Sequence, residues 1–299
     1  MNLHQRAISP ARDPTPTVRY EIAYSRENPL RVEAFERLVA MATAPYFGSR
    51  RVFPRRFDRA FAQILTDTTA KVVPEYAIRY YGSTLHLDID PLSLTHRISD
   101  WVRTPKGVRW MGTSFLDSAD WSAAIAPVVR SPIHREMQEF VTVGGDLRDT
   151  KAYREMMLAI KLGRPTRRNS ATLTNGEAVE SYLRYCRDLI KSMRKRGAVR
   201  HSQSGPFYRL RLKHRDVRSP VHDSTERDIG VAVTESGALI RHLGGKHRTA
   251  IAQALLLPSI PVEIRLVHTA WLTKQIERTG LPPHQALIEG IGHLVATRK

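Results

Sequence analysis

The chain has 299 residues, of which 41% are hydrophobic and 25% are charged. This composition belongs to a folded protein and excludes disorder along the whole chain. The 47 Lys and Arg residues exceed the 29 Asp and Glu residues, so the formal net charge is +18, which predicts attraction to nucleic acid, anionic membranes or phosphorylated ligands. A single cysteine, Cys186, excludes an intramolecular disulfide framework and a multi-cysteine zinc site.

The first thirty residues lack the apolar core of a signal peptide, and polar residues interrupt every apolar run before it reaches the length of about 18 residues that spans a membrane. We therefore expect a cytoplasmic protein without a membrane partner. Residues 1–17 contain three prolines and few large apolar side chains, which predicts a disordered tail.

Apolar residues at helical spacing predict two amphipathic helices, over residues 29–41 and around residues 57–65. Residues 83–92 alternate apolar and polar side chains instead, which predicts a half-buried strand with His86, Asp88 and Asp90 on one face. A His and two carboxylates could hold a metal, but a solvated strand face has the same pattern and is the simpler interpretation.

The middle of the chain predicts three more helices. Two of them cover residues 134–141 and 153–162, and the third begins after Asn175, a residue type that favours helix N-caps. The third helix carries one apolar stripe that contains Val179, Tyr182, Leu183, Cys186, Leu189, Ile190 and Met193. Within this stripe Cys186 is expected to be buried and unreactive.

A strongly basic segment follows that helix. Residues 187–227 contain twelve Lys or Arg and four Asp or Glu, so the segment carries 12 − 4 = +8. Phe207 and Tyr208 are interleaved with the cations, a composition that suits nucleic acid. The candidate contacts are Lys195, Arg196, Arg209 and Arg211. Helix capping and a solvated basic loop explain the same charges.

Residues 228–268 contain the most informative pattern: strand, turn, strand, glycine turn, helix, strand. At the start of the helix, first-turn N–H groups lack partners within the helix and the helix dipole favours an anion. Two glycines and several donor side chains meet at this turn, so we predict a phosphate site formed by Gly244, Gly245, Lys246, His247, Arg248 and Thr249. A structural glycine turn with solvated basic residues is the alternative interpretation. The turn is not a Walker loop, which requires Gly-x-x-x-x-Gly-Lys-Ser/Thr.

The run from Gly244 to Ala252, followed by residues 257–262, resembles the ParB/sulfiredoxin-like superfamily. The resemblance implies a small mixed sheet with helices in the C-terminal part, and a basic turn that binds nucleotide phosphates. Branches of this superfamily use the turn for a nucleotide-gated DNA clamp, for reduction of a sulfinic acid or for phosphorylation of free serine.

The chain departs from two of these branches. Lys246 stands where the sulfinic acid reductases have a reactive cysteine, and the 31 residues after His268 are too few for the partition branch's DNA-binding and dimerisation regions. The turn is most similar to that of the serine-kinase-like members, although Gly244-Gly245 replaces their common Asp-Gly.

The resemblance yields two main functional hypotheses. In the first, the chain is a phosphotransferase that uses a nucleoside triphosphate (ATP or CTP), with or without Mg²⁺, and Glu226 or Asp228 as general base or metal ligand. In the second, the nucleotide regulates binding of DNA or RNA by the basic segment. A catalytically inert relative that binds other proteins is a third alternative. No metal site formed by the chain alone is predicted.

The predicted fold class is α+β. We divide the chain into the tail (1–17), an N-terminal, mostly helical α+β accessory region (18–173) and a ParB/sulfiredoxin-like domain (174–299). The last part of this domain, residues 271–295, predicts two helices joined at residues 279–282. A helical hairpin packed on the core is a simpler interpretation of this pattern than a helix-turn-helix.

Overall fold

The computed structural model describes residues 29–67, 70–99, 101–104, 107–168, 171–200 and 228–296. The predicted tail and most of the basic segment, residues 201–227, lie outside these ranges. The described α-helices are α1 Pro29–Phe47, α2 Phe53–Thr66, α3 Pro74–Tyr81, α4 Pro132–Val143, α5 Lys151–Lys161, α6 Gly176–Arg196, α7 Lys246–Ala254, α8 Thr269–Thr279 and α9 Pro283–Ala296.

The described strands form one mixed sheet and two small hairpins. They are β1 His86–Ile89, β2 His96–Ile98, β3 Trp101–Thr104, β4 Gly107–Trp110, β5 Leu116–Asp117, β6 Ile125–Pro127, β7 Arg167–Arg168, β8 Ala171–Thr172, β9 Ile229–Val233, β10 Leu239–Arg241 and β11 Ile260–His268. The sheet has the order β1-β11-β9-β10-β2-β6, and β5 pairs with the end of β11. Strands β3 and β4 form one separate hairpin, and β7 and β8 the other.

Parallel and antiparallel pairs alternate across the sheet. Strand β9 pairs antiparallel with β10 and parallel with β11, and β10 then pairs in parallel with β2. The strands β1, β2, β5 and β6 precede residue 173, whereas β9, β10 and β11 follow it. One sheet therefore contains strands from both sides of the predicted domain boundary, and the largest core cluster extends from Phe53 to Leu294. The α+β fold class is confirmed.

Helix α6 follows the sequence pattern closely. All seven residues of the predicted stripe are buried, Cys186 among them. The Asn175 side chain accepts a hydrogen bond from the N–H of Ala178 at 2.9 Å, and Gly197 ends the helix with a φ of 69°. The helix therefore has both the N-cap and the glycine stop that the sequence predicts.

Strand β1 is shorter than predicted, because a 3₁₀ turn occupies residues 82–85. Its alternation is correct: Leu87 and Ile89 are buried, whereas Asp88 and Asp90 are exposed. Asp88 accepts a hydrogen bond from Arg200 at 2.8 Å. No group of three or more potential metal ligands occurs within the described ranges.

The C-terminal helices α8 and α9 form the predicted hairpin, which packs against α2. At the start of α9, the backbone N–H of His284 donates to Asp58 Oδ1 at 2.9 Å, so a carboxylate from α2 caps this helix. Among the helices that the structure describes, none combines the length and the apolar composition needed to cross a bilayer.

Candidate anion-binding site

The predicted glycine turn connects β10 to α7 through three successive residues in left-handed conformations. The φ angles are 38° at Leu243, 76° at Gly244 and 66° at Gly245. A β-carbon at Gly245 would lie 2.6 Å from Cγ1 of Ile229 in β9. Glycine is therefore required there by backbone conformation and by close packing on the sheet.

Arg265 of β11 holds the turn against the sheet. Its Nη1 donates to the carbonyl of Leu243 at 3.1 Å, and its Nη2 donates to the carbonyl of Asp228 at 2.7 Å. Its Nε donates to the buried carboxylate of Glu263 at 2.8 Å. One charge-paired guanidinium thus fixes the start of β9 and the end of β10 relative to each other.

A small open cleft, the anion pocket, lies beside the turn. Its lining residues come from two strands, two helices and the segment before α4. They are Arg97, Val128, Ser131, His134, Arg241, Lys246 and Thr249. Three of the seven are cationic and none is a carboxylate, so the lining has the composition of an anion site.

The two arginines of the pocket are cross-strand neighbours. The parallel pairing of β10 with β2 places Arg241 opposite Arg97. Arg241 is only 4% exposed, so solvent screens its charge little. Both guanidinium groups therefore add positive charge to the same cleft.

Two helix N-termini meet at the same pocket. Ser131 is the N-cap of α4 and Gly245 is the N-cap of α7, and neither residue caps its helix through a side chain. The two helices pack against each other, and Gln138 Nε2 donates to the carbonyl of Ala250 at 3.1 Å. Both helix dipoles therefore place partial positive charge at the pocket, where it adds to the three cations.

The surroundings of His134 in the pocket shift its pKa. Burial, followed by the charge of Arg241, lowers the pKa of His134 below its ordinary 6.5. The imidazole is therefore neutral at pH 7, and an anion in the pocket would raise its pKa again.

His247, one residue after Lys246, belongs to a different environment inside the protein. Its Nε2 lies 2.9 Å from the hydroxyl of Tyr182, and that hydroxyl donates to Oε1 of Glu136. Arg168 Nη2 pairs with the other oxygen of Glu136 at 2.8 Å. Because the tyrosine proton is donated to the carboxylate, His247 donates its Nε2–H to the tyrosine oxygen.

Burial and neighbouring charges explain the pKa shifts of His247 and Tyr182. Burial, then Arg168 and Lys246, lower the pKa of His247 to about 3. Burial, followed by Cys186 and Glu136, raises the pKa of Tyr182 well above 10. Both groups are therefore neutral at pH 7, and the network joins α4, α6, α7 and β7 beneath the pocket.

The predicted nucleotide-binding residues are thus divided between two environments. Lys246 and Thr249 line the pocket, and Gly244 and Gly245 form the turn that precedes it. His247 faces the buried network instead. Arg248 is buried at 8% exposure and is not one of the lining residues.

Of the two predicted catalytic residues, Asp228 alone lies within the described ranges. Asp228 is buried, its Oδ2 lies 3.9 Å from Arg200 Nη1, and it does not line the pocket. Glu226 lies outside the described residues, as do Arg209 and Arg211. Lys195 and Arg196 are exposed in the last turn of α6.

Sequence reasoning missed five lining residues, which are Arg97, Val128, Ser131, His134 and Arg241. Arg241 stands three positions before Gly244, so its proximity to the turn was a usable signal. Ser131 precedes a proline and a predicted helix, which is typical of an N-cap. Arg97 enters the pocket through strand pairing alone, which no local pattern shows.

The chain matches no family model, no curated protein and no solved structure. The superfamily resemblance therefore stays a prediction, and the function is argued from the pocket itself.

Proposed function

We propose that the chain binds the phosphate groups of a nucleotide in the pocket between β2, β10 and the N-termini of α4 and α7. The observation that carries this proposal is the cross-strand pair Arg97–Arg241, which converges with Lys246 on one small cleft. Such a cluster matches the charge of a phosphate group.

The position of the positive charge supports phosphate as the part of the ligand that binds here. Three cationic side chains and the starts of α4 and α7 lie at one cleft. We infer that the phosphates of ATP or CTP bind at this cleft and that the nucleoside extends over its rim.

Phosphoryl transfer to a hydroxyl compound stays a prediction beyond this proposal. Transfer requires a group that orients or deprotonates the acceptor, and often Mg²⁺ held partly by carboxylates. None of the seven lining residues is a carboxylate. An acidic residue that acts in catalysis must therefore come from elsewhere in the chain.

Isothermal titration at fixed ionic strength tests the proposal with pyrophosphate, ATP, CTP and adenosine. We expect the parent to bind the three phosphate compounds and not adenosine. A hydrogen bond to a charged group contributes about 1.5–3 kcal/mol, so Arg97→Gln and Lys246→Gln should each weaken pyrophosphate binding about tenfold or more.

Arg200→Gln is the matched control, because Arg200 is paired with Asp88 and does not line the pocket. Its affinity for pyrophosphate should equal that of the parent. The proposal is wrong if the parent does not bind pyrophosphate, or if Arg97→Gln and Lys246→Gln bind it as tightly as Arg200→Gln does.

A further inference from the structure

A second basic feature lies far from the glycine turn in the sequence, at the start of α2. Five exposed arginines cluster there, and we refer to them as the arginine face: Arg50, Arg51, Arg55, Arg56 and Arg59. None of the five lines the anion pocket.

The two sides of α2 have opposite characters. Phe53, Phe57 and Phe61 are buried in the core. Arg55 and Arg59 stand one helical turn apart, on the side away from these rings. Four residues at 1.5 Å each separate the two by about 6 Å along the helix.

The arginine face weakens the helix that carries it. Arg55 and Arg56 stand in the first turn of α2, and Arg50 and Arg51 lie just before it, where the helix dipole disfavours positive charge. Arg55 and Arg59 also repel each other at the i, i+4 spacing. Among the described carboxylates, none forms an ion pair with these five arginines, and the acid within α2, Asp58, is engaged by His284. The cluster is therefore better explained by a partner than by folding.

An aromatic surface adjoins the arginine face. The guanidinium of Arg56 lies 4.2 Å from the centre of the Phe47 ring. Phe47 in turn contacts Tyr46 edge to face at a centroid distance of 5.0 Å, and Tyr46 is 64% exposed. Stacked guanidinium groups and an exposed aromatic ring are what unpaired bases bind.

We propose that the arginine face and Tyr46 bind single-stranded nucleic acid, with the arginines on the phosphates and Tyr46 against a base. Arginine suits this role because its planar fork binds phosphate oxygens and also stacks on rings. An anionic membrane is a poorer match, because a helix that binds a membrane surface inserts its apolar side, and that side of α2 is buried in the core.

The test measures binding of a fluorescent oligothymidylate as a function of salt concentration. Each lost phosphate contact on a single strand lowers the slope of log K against log salt by about 0.7. Arg55→Gln/Arg59→Gln should therefore lower the slope by about 1.4. Arg50→Gln/Arg51→Gln should have a similar effect, and it changes no residue within α2. Tyr46→Ala should weaken binding and leave the slope unchanged.

Lys161→Gln/Arg164→Gln is the matched control, because it removes two exposed cations at the end of α5. It should bind like the parent. Retention of pyrophosphate binding by Arg55→Gln/Arg59→Gln would show that the two sites are separate and that the variant is folded.

Four results would overturn the proposal. They are absence of oligothymidylate binding, an equal loss in the control variant, a loss confined to Lys195→Gln/Arg196→Gln on α6, and binding of phosphatidylserine vesicles in place of the oligonucleotide. The role given to the aromatic surface would also be contradicted if the protein bound a duplex as tightly as the single strand and Tyr46→Ala did not weaken binding of oligothymidylate.

Discussion

Replacing Arg97 with Gln should weaken the stabilisation that phosphate compounds give the protein. The substitution removes one of the three cations that line the cleft and keeps a polar side chain of similar reach. An arginine with a structural role alone behaves differently, because its loss changes the stability of the unbound protein and leaves ligand binding unchanged. The gain in Tm from pyrophosphate therefore distinguishes the two roles.

The size of the effect follows from the linkage between binding and stability. A hydrogen bond to a charged group contributes about 1.5–3 kcal/mol, so its loss should weaken the Kd for pyrophosphate about tenfold or more. Pyrophosphate at 100 times its Kd stabilises the parent by about 2.7 kcal/mol. A tenfold weaker Kd leaves the variant about 1.4 kcal/mol at the same concentration.

Thermal unfolding at fixed ionic strength, with and without pyrophosphate, measures the gain in Tm. Arg200→Gln is the control, because it breaks an ion pair with Asp88 and should lower Tm while keeping the full gain from pyrophosphate. An Arg97→Gln variant that gains as much from pyrophosphate as the parent would refute the role given to Arg97.

Three further predictions concern the buried network and the turn. Tyr182→Phe should lower the unfolding free energy by roughly 1–3 kcal/mol in urea titrations, because it leaves two buried hydrogen-bonding partners without the hydroxyl; an unchanged midpoint would contradict this. The folded-state pKa of His247 is about 3 against an ordinary 6.5, so the unfolded chain takes up the proton first as the pH falls. The contribution of His247 to stability should therefore be complete above about pH 6.5. Below that pH the unfolding free energy should decrease by up to about 1.4 kcal/mol per pH unit. Urea titrations at several pH values should show that the unfolding free energy of His247→Gln depends less on pH. Gly245→Ala should lower stability by more than about 1 kcal/mol, because φ is positive and Ile229 is in the way, whereas Gly292→Ala, in open space on α9, should increase it in the same titrations.

The sequence predicted the elements whose signals are local. The apolar stripe of α6, the alternation of β1 and the glycine turn before α7 all lie within short windows, and the structure contains each of them. The composition of the pocket depends on distant pairing instead. Arg97 reaches Arg241 only because β2 pairs with β10, and strand pairing between remote segments leaves no local periodicity.

The division of the predicted phosphate-binding residues has a geometric cause that the sequence already contained. Residues three apart on a helix lie on one side, so Lys246 and Thr249 face the pocket together. His247 is turned about 100° from Lys246 and faces the interior. A run of donor side chains at a helix start thus cannot all point at one ligand, and helix geometry predicts which ones do.

A titration of ¹⁵N-labelled protein with pyrophosphate, followed through the backbone amide resonances, tests the central claim most directly. The account predicts saturable shifts concentrated at Ser131 to His134 and at Lys246 to Thr249, the first turns of the two helices that meet at the pocket. Saturable shifts confined to the exposed cations of α2 and α6, or no saturable shift at either helix start, would contradict it.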